Sequence, residues 1–250
     1  MYTEDAPPPS LAMHVACLWT SVAEPGPQGA VLPDGCVDIT WIGGRELVIA
    51  GPDTVPAPTS LEVGDMVVGL RFRPGMTAAA LGVPADSLRD TRTPLADVWG
   101  DGPVRRLAER LADAPTAAVA QDVLAAEIEA RRPDPTERDW SIVAAADQLR
   151  HDSTSVEALA DYVNVSERQL LRFFQATVGY GPKTLDRVFR FQRFRRLAAS
   201  QPNASLADLA AMTGYSDQAH LTRECQRLGG ATPVRIVQDV RQGRPVPSSA

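Results

Sequence analysis

The spacing of apolar positions changes character along the chain. In the first 72 residues they come as short runs between Gly- and Pro-containing breaks, the mark of short strands. Leu11–Val22 (LAMHVACLWTSV) predicts one strand or two, and Met66–Phe72 (MVVGLRF) another. Cys36–Ile42 and Leu47–Ala50 flank Gly43-Gly44, and paired glycines support the turns that close a tight hairpin. Residues 24–28 and 52–58 read as loops, and the acidic, proline-rich residues 1–10 as an unstructured lead. Such strands predict a small antiparallel barrel or sandwich.

After that the spacing lengthens. Residues 81–93 and 95–99 predict short helices and connectors, while Val104–Ala112, Thr116–Arg131 and Trp140–Leu149 each carry an amphipathic helical pattern. Arg132-Pro133-Asp134-Pro135 interrupts them, since two prolines stop a helix and expose the chain. The expected fold is therefore α+β. A β-rich, barrel- or cupin-like domain with trailing helices occupies residues 1–132, a linker 133–138, and an all-α domain 139–245.

Within the helical half, Ser205–Pro233 reads as helix, tight turn, second helix, stop. Ser205 with Asp208 has capping-box spacing, and Leu206, Leu209 and Ala210 form one apolar face. Gly214 allows the sharp turn, and Ser216 or Asp217 caps a second helix whose Leu221 and Cys225 face back. Its outer face then carries Gln218, His220, Thr222 and Arg223, hydrogen-bonding side chains suited to a DNA major groove. The same unit stands fifty residues earlier, at 155–174. Val156, Leu159, Ala160 and Val163 match Leu206, Leu209, Ala210 and Thr213 at an offset of 50. Beyond the turn the offset is 51, pairing Ser166, Leu170, Arg172 and Phe174 with Asp217, Leu221, Arg223 and Cys225, so the second turn is one residue longer. Thr154/Glu157 and Ser166/Gln169 also have capping-box spacing. Between the copies, Pro182–Ala199 predicts a helix of about 27 Å, with Arg187, Arg190, Arg193, Arg195 and Arg196 on its surface. Such a strut would set two recognition helices about one DNA turn apart, roughly 34 Å.

Residues 140–240 resemble the DNA-binding module of AraC/XylS-family transcription regulators. The resemblance rests on Ser166-x3-Leu170-x-Arg172-x-Phe174, on Gly179-Tyr180-Gly181-Pro182-Lys183, and on Ala210-x3-Gly214-Tyr215-Ser216-x-Gln218-x-His220-Leu221-x-Arg223 with the closing Gly229–Pro233. It implies seven helices and two helix-turn-helix units joined by one long helix. Cys225 departs from the family's usual Phe, and Leu171 stands where a polar residue is common. Leu171 either packs on a thymine methyl or makes the first unit the weaker reader. The N-terminal stretch, with VLPDGCVDITW, GPDT and GLRFRPG, resembles a poorly characterised domain found ahead of such modules. That implies an all-β or cupin-like regulatory domain without naming its effector.

The residues expected at base edges are Arg168, Gln169 and Arg172 in the first unit and Gln218, His220 and Arg223 in the second. Arginine pairs bidentately with guanine and glutamine with adenine. Ser166, Lys183, Ser216 and Thr222 suit the phosphate backbone, which takes half or more of such bonds. Charge sharpens this division. Residues 139–245 hold 14 Lys+Arg against 11 Asp+Glu, a net of +3, so the overall −6 places −9 on the rest. So small a basic excess predicts modest, salt-sensitive non-specific affinity.

Other chemistry is thinner. Arg71 and Arg73 alternate with Leu70 and Phe72, so they either clamp an anionic effector inside a barrel or form a solvated face paired with Asp34 or Asp38. Three widely spaced cysteines, Cys17, Cys36 and Cys225, argue for a reducing cytoplasm and against a disulfide scaffold. His14, Cys17 and Cys36 do not make a zinc pattern, and no metal or cofactor is expected. The alternative function is a thiol sensor or alkyl acceptor using Cys17 or Cys36, which needs a low-pKa thiolate. No run approaches the ~20 apolar residues of a membrane span, the N-terminus is unlike a signal peptide, and no nucleophile–base–orienter set appears. The chain is therefore not expected to be an enzyme. Expected partners are double-stranded DNA, then RNA polymerase, a small-molecule effector and a second copy of the chain; helices 104–112 and 116–131 form either its docking hairpin or a layer within the chain.

Overall fold

The computed structural model describes residues 2–25, 29–59, 61–131 and 133–242. Strands β1 (Tyr2–Asp5), β2 (Val15–Val22), β3 (Val37–Ile42), β4 (Glu46–Ala50), β5 (Met66–Phe72) and β6 (Arg92–Pro94) form one antiparallel sheet ordered β1-β2-β5-β3-β4-β6. It has β1 and β6 as its edges rather than closing into a barrel. The hairpin β3–β4 turns at Gly43 (φ 54°) and Gly44 (φ 71°), with Arg45 N–H donating to the Ile42 carbonyl, a geometry that needs two left-handed residues. The unstructured lead expected at residues 1–10 is instead strand β1 followed by a 3-10 turn at Pro9–Leu11. Tyr2–Asp5 pairs with Leu18–Ser21, and such pairing overrides a weak local propensity.

Helices α1 (Thr77–Leu81), α2 (Leu95–Trp99), α3 (Asp101–Ala112) and α4 (Ala117–Arg131) follow the sheet. Leu107, Leu111, Leu124 and Ile128 seal against Ile39, Ile49 and Leu70 in one apolar cluster. Between Ile39 and Leu70 of the sheet and Leu107, Leu124 and Ile128 of the helices, the volume open to a water molecule is about 0 Å³.

The remaining helices are α5 (Glu137–His151), α6 (Val156–Tyr162), α7 (Glu167–Val178), α8 (Pro182–Ser200), α9 (Leu206–Met212), α10 (Gln218–Gly229) and α11 (Pro233–Arg241). Helix α8 is the axis of their core, contributing Leu185, Val188, Phe191, Phe194 and Ala198, all with 0 % exposure. The break between α4 and α5 falls at 133–136, where Thr136 caps α5 by a reciprocal bond with Asp139.

The two halves share a wall. Leu32, from the loop before β3, belongs to the helical core. At Gly35 (φ 90°) the backbone lies so close to α8 that an added Cβ would stand 2.8 Å from Leu185. Gln192 of α8 donates to the Pro33 carbonyl, and Arg89 reaches the carbonyl of Gly179 at 3.4 Å. The His14 ring meets Trp140 of α5 at 5.7 Å between centroids. Arg195, expected on the surface, is buried and donates to Gln192; burial pushes its guanidinium down to about 10.

Candidate nucleic-acid interface

The internal repeat reappears in the helix caps and the turns. Ser155 caps α6 and Ser205 caps α9, each through its hydroxyl to the third helical N–H. The first cap is thus Ser155, not Thr154. In the first turn Asn164 is left-handed (φ 54°) and Val165 N–H donates to Ala160; in the second Gly214 is left-handed (φ 77°) and Tyr215 N–H donates to Ala210, both bonds at 3.0 Å. Asparagine and glycine are the residues that tolerate this conformation most readily. The extra residue of the second turn then moves its cap to Asp217, against Ser166 in the first.

The recognition helices α7 and α10 each have 12 residues and bury equivalent faces. Leu170, Phe173, Phe174 and Thr177 of the first stand where Leu221, Glu224, Cys225 and Leu228 do in the second. At the position of Phe173, Glu224 forms a two-point ion pair with Arg187 of α8, at 2.9 and 2.7 Å. Burial alone would raise its pKa, but Arg187 outweighs that and holds the carboxyl below its ordinary range.

Arg168 and Arg172 are exposed on α7, and Gln218 and Arg223 on α10. Arg172 and Arg223 occupy the same position of their units, and Arg172 leans over the Phe173 ring at 5.3 Å. Two expected readers, Gln169 and His220, are placed differently. Gln169 closes the cap, its Oε1 accepting from the Ser166 N–H at 3.0 Å and hydroxyl at 2.9 Å. Bidentate adenine recognition needs that oxygen as well as the amide nitrogen, so as folded Gln169 is a capping residue. His220 is half-buried, edge-on to Tyr215 at 5.2 Å, with Nδ1 3.2 Å from the Ser216 hydroxyl. Leu171 lies against Gly181, where an added Cβ would stand 2.7 Å from its Cδ1.

Of the residues expected on phosphate, Ser166 and Ser216 are exposed at the heads of α7 and α10, and Lys183 is exposed on the first turn of α8. Thr222 donates back to the Gln218 carbonyl at 2.8 Å. Gln175, Gln226 and Arg227 complete the exposed faces. The helical spacing that placed Arg172 and Arg223 outward reaches these three as well.

In the sheet, Arg71 is buried and its fork is occupied. Nε and one terminal nitrogen donate to the two oxygens of Asp38, both at 3.0 Å, while Asp34 stands at 3.4 Å and Glu4 at 3.5 Å. Burial would weaken its hold on the proton, but Asp38 and Asp34 raise its pKa well above the usual value. Of the two readings of Arg71, the structure has the pairing with Asp38 and Asp34, buried rather than on a solvated face, and not the effector clamp. Arg73 lies just past β5, exposed, donating to the Ala12 carbonyl at 2.9 Å, so the two arginines do not form one clamp. Burial pushes the Cys17 thiol up to about 12 and the Cys36 thiol well above its usual value, the reverse of what an alkyl acceptor requires. Among the described residues no group of three or more His, Cys, Asp or Glu side chains is placed to hold a metal ion.

Comparison with known proteins gives the two halves separate affinities. Residues 159–239 match a helix-turn-helix domain family, and residues 3–94 match a domain family of unknown function, DUF6597. The HTH-type transcriptional regulator GbdR of Pseudomonas aeruginosa is 31 % identical over 105 residues, covering 42 % of this chain and 27 % of that protein. The HTH-type transcriptional regulator VirS of Mycobacterium tuberculosis is 38 % identical over 79 residues, 32 % of this chain and 23 % of that one. The match thus spans about a quarter of each relative's length. Among solved structures, the DNA-binding domain of AdpA in complex with a target DNA is similar over 44 % of this chain and 98 % of that one, at 22 % identity and a TM-score of 0.38. ToxT from Vibrio cholerae is similar over 96 % and 98 %, at 8 % identity and a TM-score of 0.46. Residues 159–239 thus form an AraC-type helix-turn-helix domain, and residues 3–94 a domain of a family that has no assigned function.

Proposed function

We propose that the protein is a sequence-specific, double-stranded-DNA-binding transcription regulator whose two recognition helices enter successive major grooves. The observation that carries this is the placement of Arg172 and Arg223 at the same exposed position of two units with the same turn hydrogen bond. Helix α8, with 19 residues, spans about 28 Å, a strut suited to readers about one DNA turn apart. Arg168 and Gln218 flank the two arginines at base edges, while Ser166, Lys183, Ser216 and Thr222 serve the phosphates. The sheet domain regulates the module through their shared wall, and RNA polymerase and a second copy of the chain are partners in that reading.

Selection of bound genome fragments tests it, run with the wild type, Arg172→Ala and Arg223→Ala. The expected result is a two-part consensus, each part losing about ten- to a hundred-fold in affinity with its own substitution, the worth of one bidentate base contact. Enrichment no better than for random duplex would overturn the reading. A single motif that depends on Arg223 alone would reduce it to one reader.

A further inference from the structure

The cap of the first recognition helix lies beside a groove that the DNA-reading surface does not explain. This groove has a volume of about 560 Å³, within the range of small-ligand sites. Its floor is Ile142 of α5, Val163 and Val165 of the α6–α7 turn, and Phe173 of α7. The Arg138 guanidinium is stacked 4.3 Å above the Phe173 ring, and Arg172 approaches the same ring at 5.3 Å. Neither arginine is in a salt bridge among the described residues, whereas nine other basic side chains there are matched with carboxylates. Of the residues that line the groove, Arg138 is the one base and Glu137 the one acid.

We propose that this groove binds a small amphipathic monocarboxylate, its apolar body on Val163, Val165 and Phe173 and its carboxylate on Arg138. An apolar floor with one convergent charged group is the usual composition of such a site. A planar guanidinium pairs with a carboxylate through two parallel hydrogen bonds, and Glu137 disfavours a second negative charge. The location is in the DNA-binding module itself, whereas the gap between Ile39 and Leu70 of the sheet and Leu107, Leu124 and Ile128 of the helices admits no water. Gln169 lines the groove and also closes the cap of α7, so an occupant touches the first turn of the recognition helix. An occupant that draws on Gln169 disturbs the cap behind which Arg168 and Arg172 are presented, so ligand and DNA weaken each other reciprocally. This last step rests on the proposed DNA reading; the site does not.

The test is calorimetry on the full chain with 4-phenylbutyrate, and with 4-phenylbutanol as the uncharged control. The wild type is expected to bind the acid at least about ten-fold more tightly than the alcohol, the worth of a hydrogen bond to a charged group. Arg138→Gln, a change at an exposed side chain, should abolish the preference, and Val165→Phe, which fills the groove, should abolish both. Equal affinity for acid and alcohol, acid binding that survives both substitutions, or no binding of the acid at millimolar concentration would overturn the site. In a second arm, saturating acid should lower affinity for the first-unit half of the selected DNA about ten-fold in the wild type and not in Arg138→Gln. Acid bound with DNA affinity unchanged overturns the coupling. Failure to select any DNA without ligand overturns the DNA reading instead, leaving calorimetry to judge the groove.

Discussion

The two helix-turn-helix units share a turn hydrogen bond and a buried face, yet they close their cores by different physics. In the first, Phe173 and Phe174 supply aromatic area, and Arg138 and Arg172 lie over the Phe173 ring. In the second, Glu224 and Cys225 occupy those positions, and the volume an aromatic ring would fill gives way to an ion pair reaching α8. Surroundings differ too. Helix α7 packs against the sheet domain at Ala85–Leu88 and at Gly179, where an added Cβ would stand 2.4 Å from Pro52. Near α10 the approach is looser, with Pro56 at 3.4 Å from the Cβ position of Gly230. A duplicated unit can thus keep its backbone while its two copies divide the work of anchoring.

The sharpest way to break the comparison is at one equivalent position. Phe174→Ala removes a fully buried ring and should cost about 3–5 kcal/mol, whereas Cys225→Ala at the matching site should cost about 1 kcal/mol. Urea denaturation of each variant measures the difference, and equal losses would mean that the copies are packed alike. Next in size, Leu32→Ala should destabilise the helical core by about 2–4 kcal/mol although the residue lies in the N-terminal half. Hydrogen exchange in α8 should report it; loss confined to the sheet would refute the shared wall.

The ion pair sharpens the contrast through pH. Arg187→Ala should cost about 2 kcal/mol, less than the ~3–5 of a fully buried pair because Arg187 keeps access to solvent. The Glu224 carboxyl is held below its ordinary value, so it binds a proton less readily folded than unfolded. Its stabilisation is therefore complete above the unfolded value and is lost as pH falls through the folded one. Exchange protection of α10 should drop before that of α7 on acidification, and Glu224→Gln should remove the difference. The smallest effect is at the caps. Ser166→Ala should cost about 1 kcal/mol and fray the head of α7, visible as faster exchange at Arg168 and Gln169.

What the sequence disclosed was local or periodic. The repeat offset, the Ser166 and Ser205 caps, the Gly43-Gly44 hairpin and strand Met66–Phe72 all rest on residues a few positions apart, and all appear in the structure. What it withheld was set by distant partners. Tyr2–Asp5 becomes a strand because β2 offers it an edge, and Leu32 joins a core more than a hundred residues away. Arg195 looked like one more surface arginine in an arginine-rich helix, and its burial within reach of the Asp34 charge was not visible in the spacing. For Arg71, Asp34 and Asp38 were legible as partners, but nothing local told their fork-filling geometry from an open clamp. Gln169 shows the limit most closely: one spacing allowed both a cap and a base contact, and the geometry selected the cap.

The loop that carries Leu32 and Gly35 bears on how portable the helical module is. A fragment beginning at residue 133 would leave behind the side chain that lines its core and the carbonyl that accepts from Gln192. Transplanted behind another N-terminal domain, the module would fold over a hole unless the graft carried a small apolar plug and a glycine at the point of nearest approach to α8. Exchange between such proteins is therefore constrained to pairs of domains, with the seam running through residues 30–36 as well as through the linker.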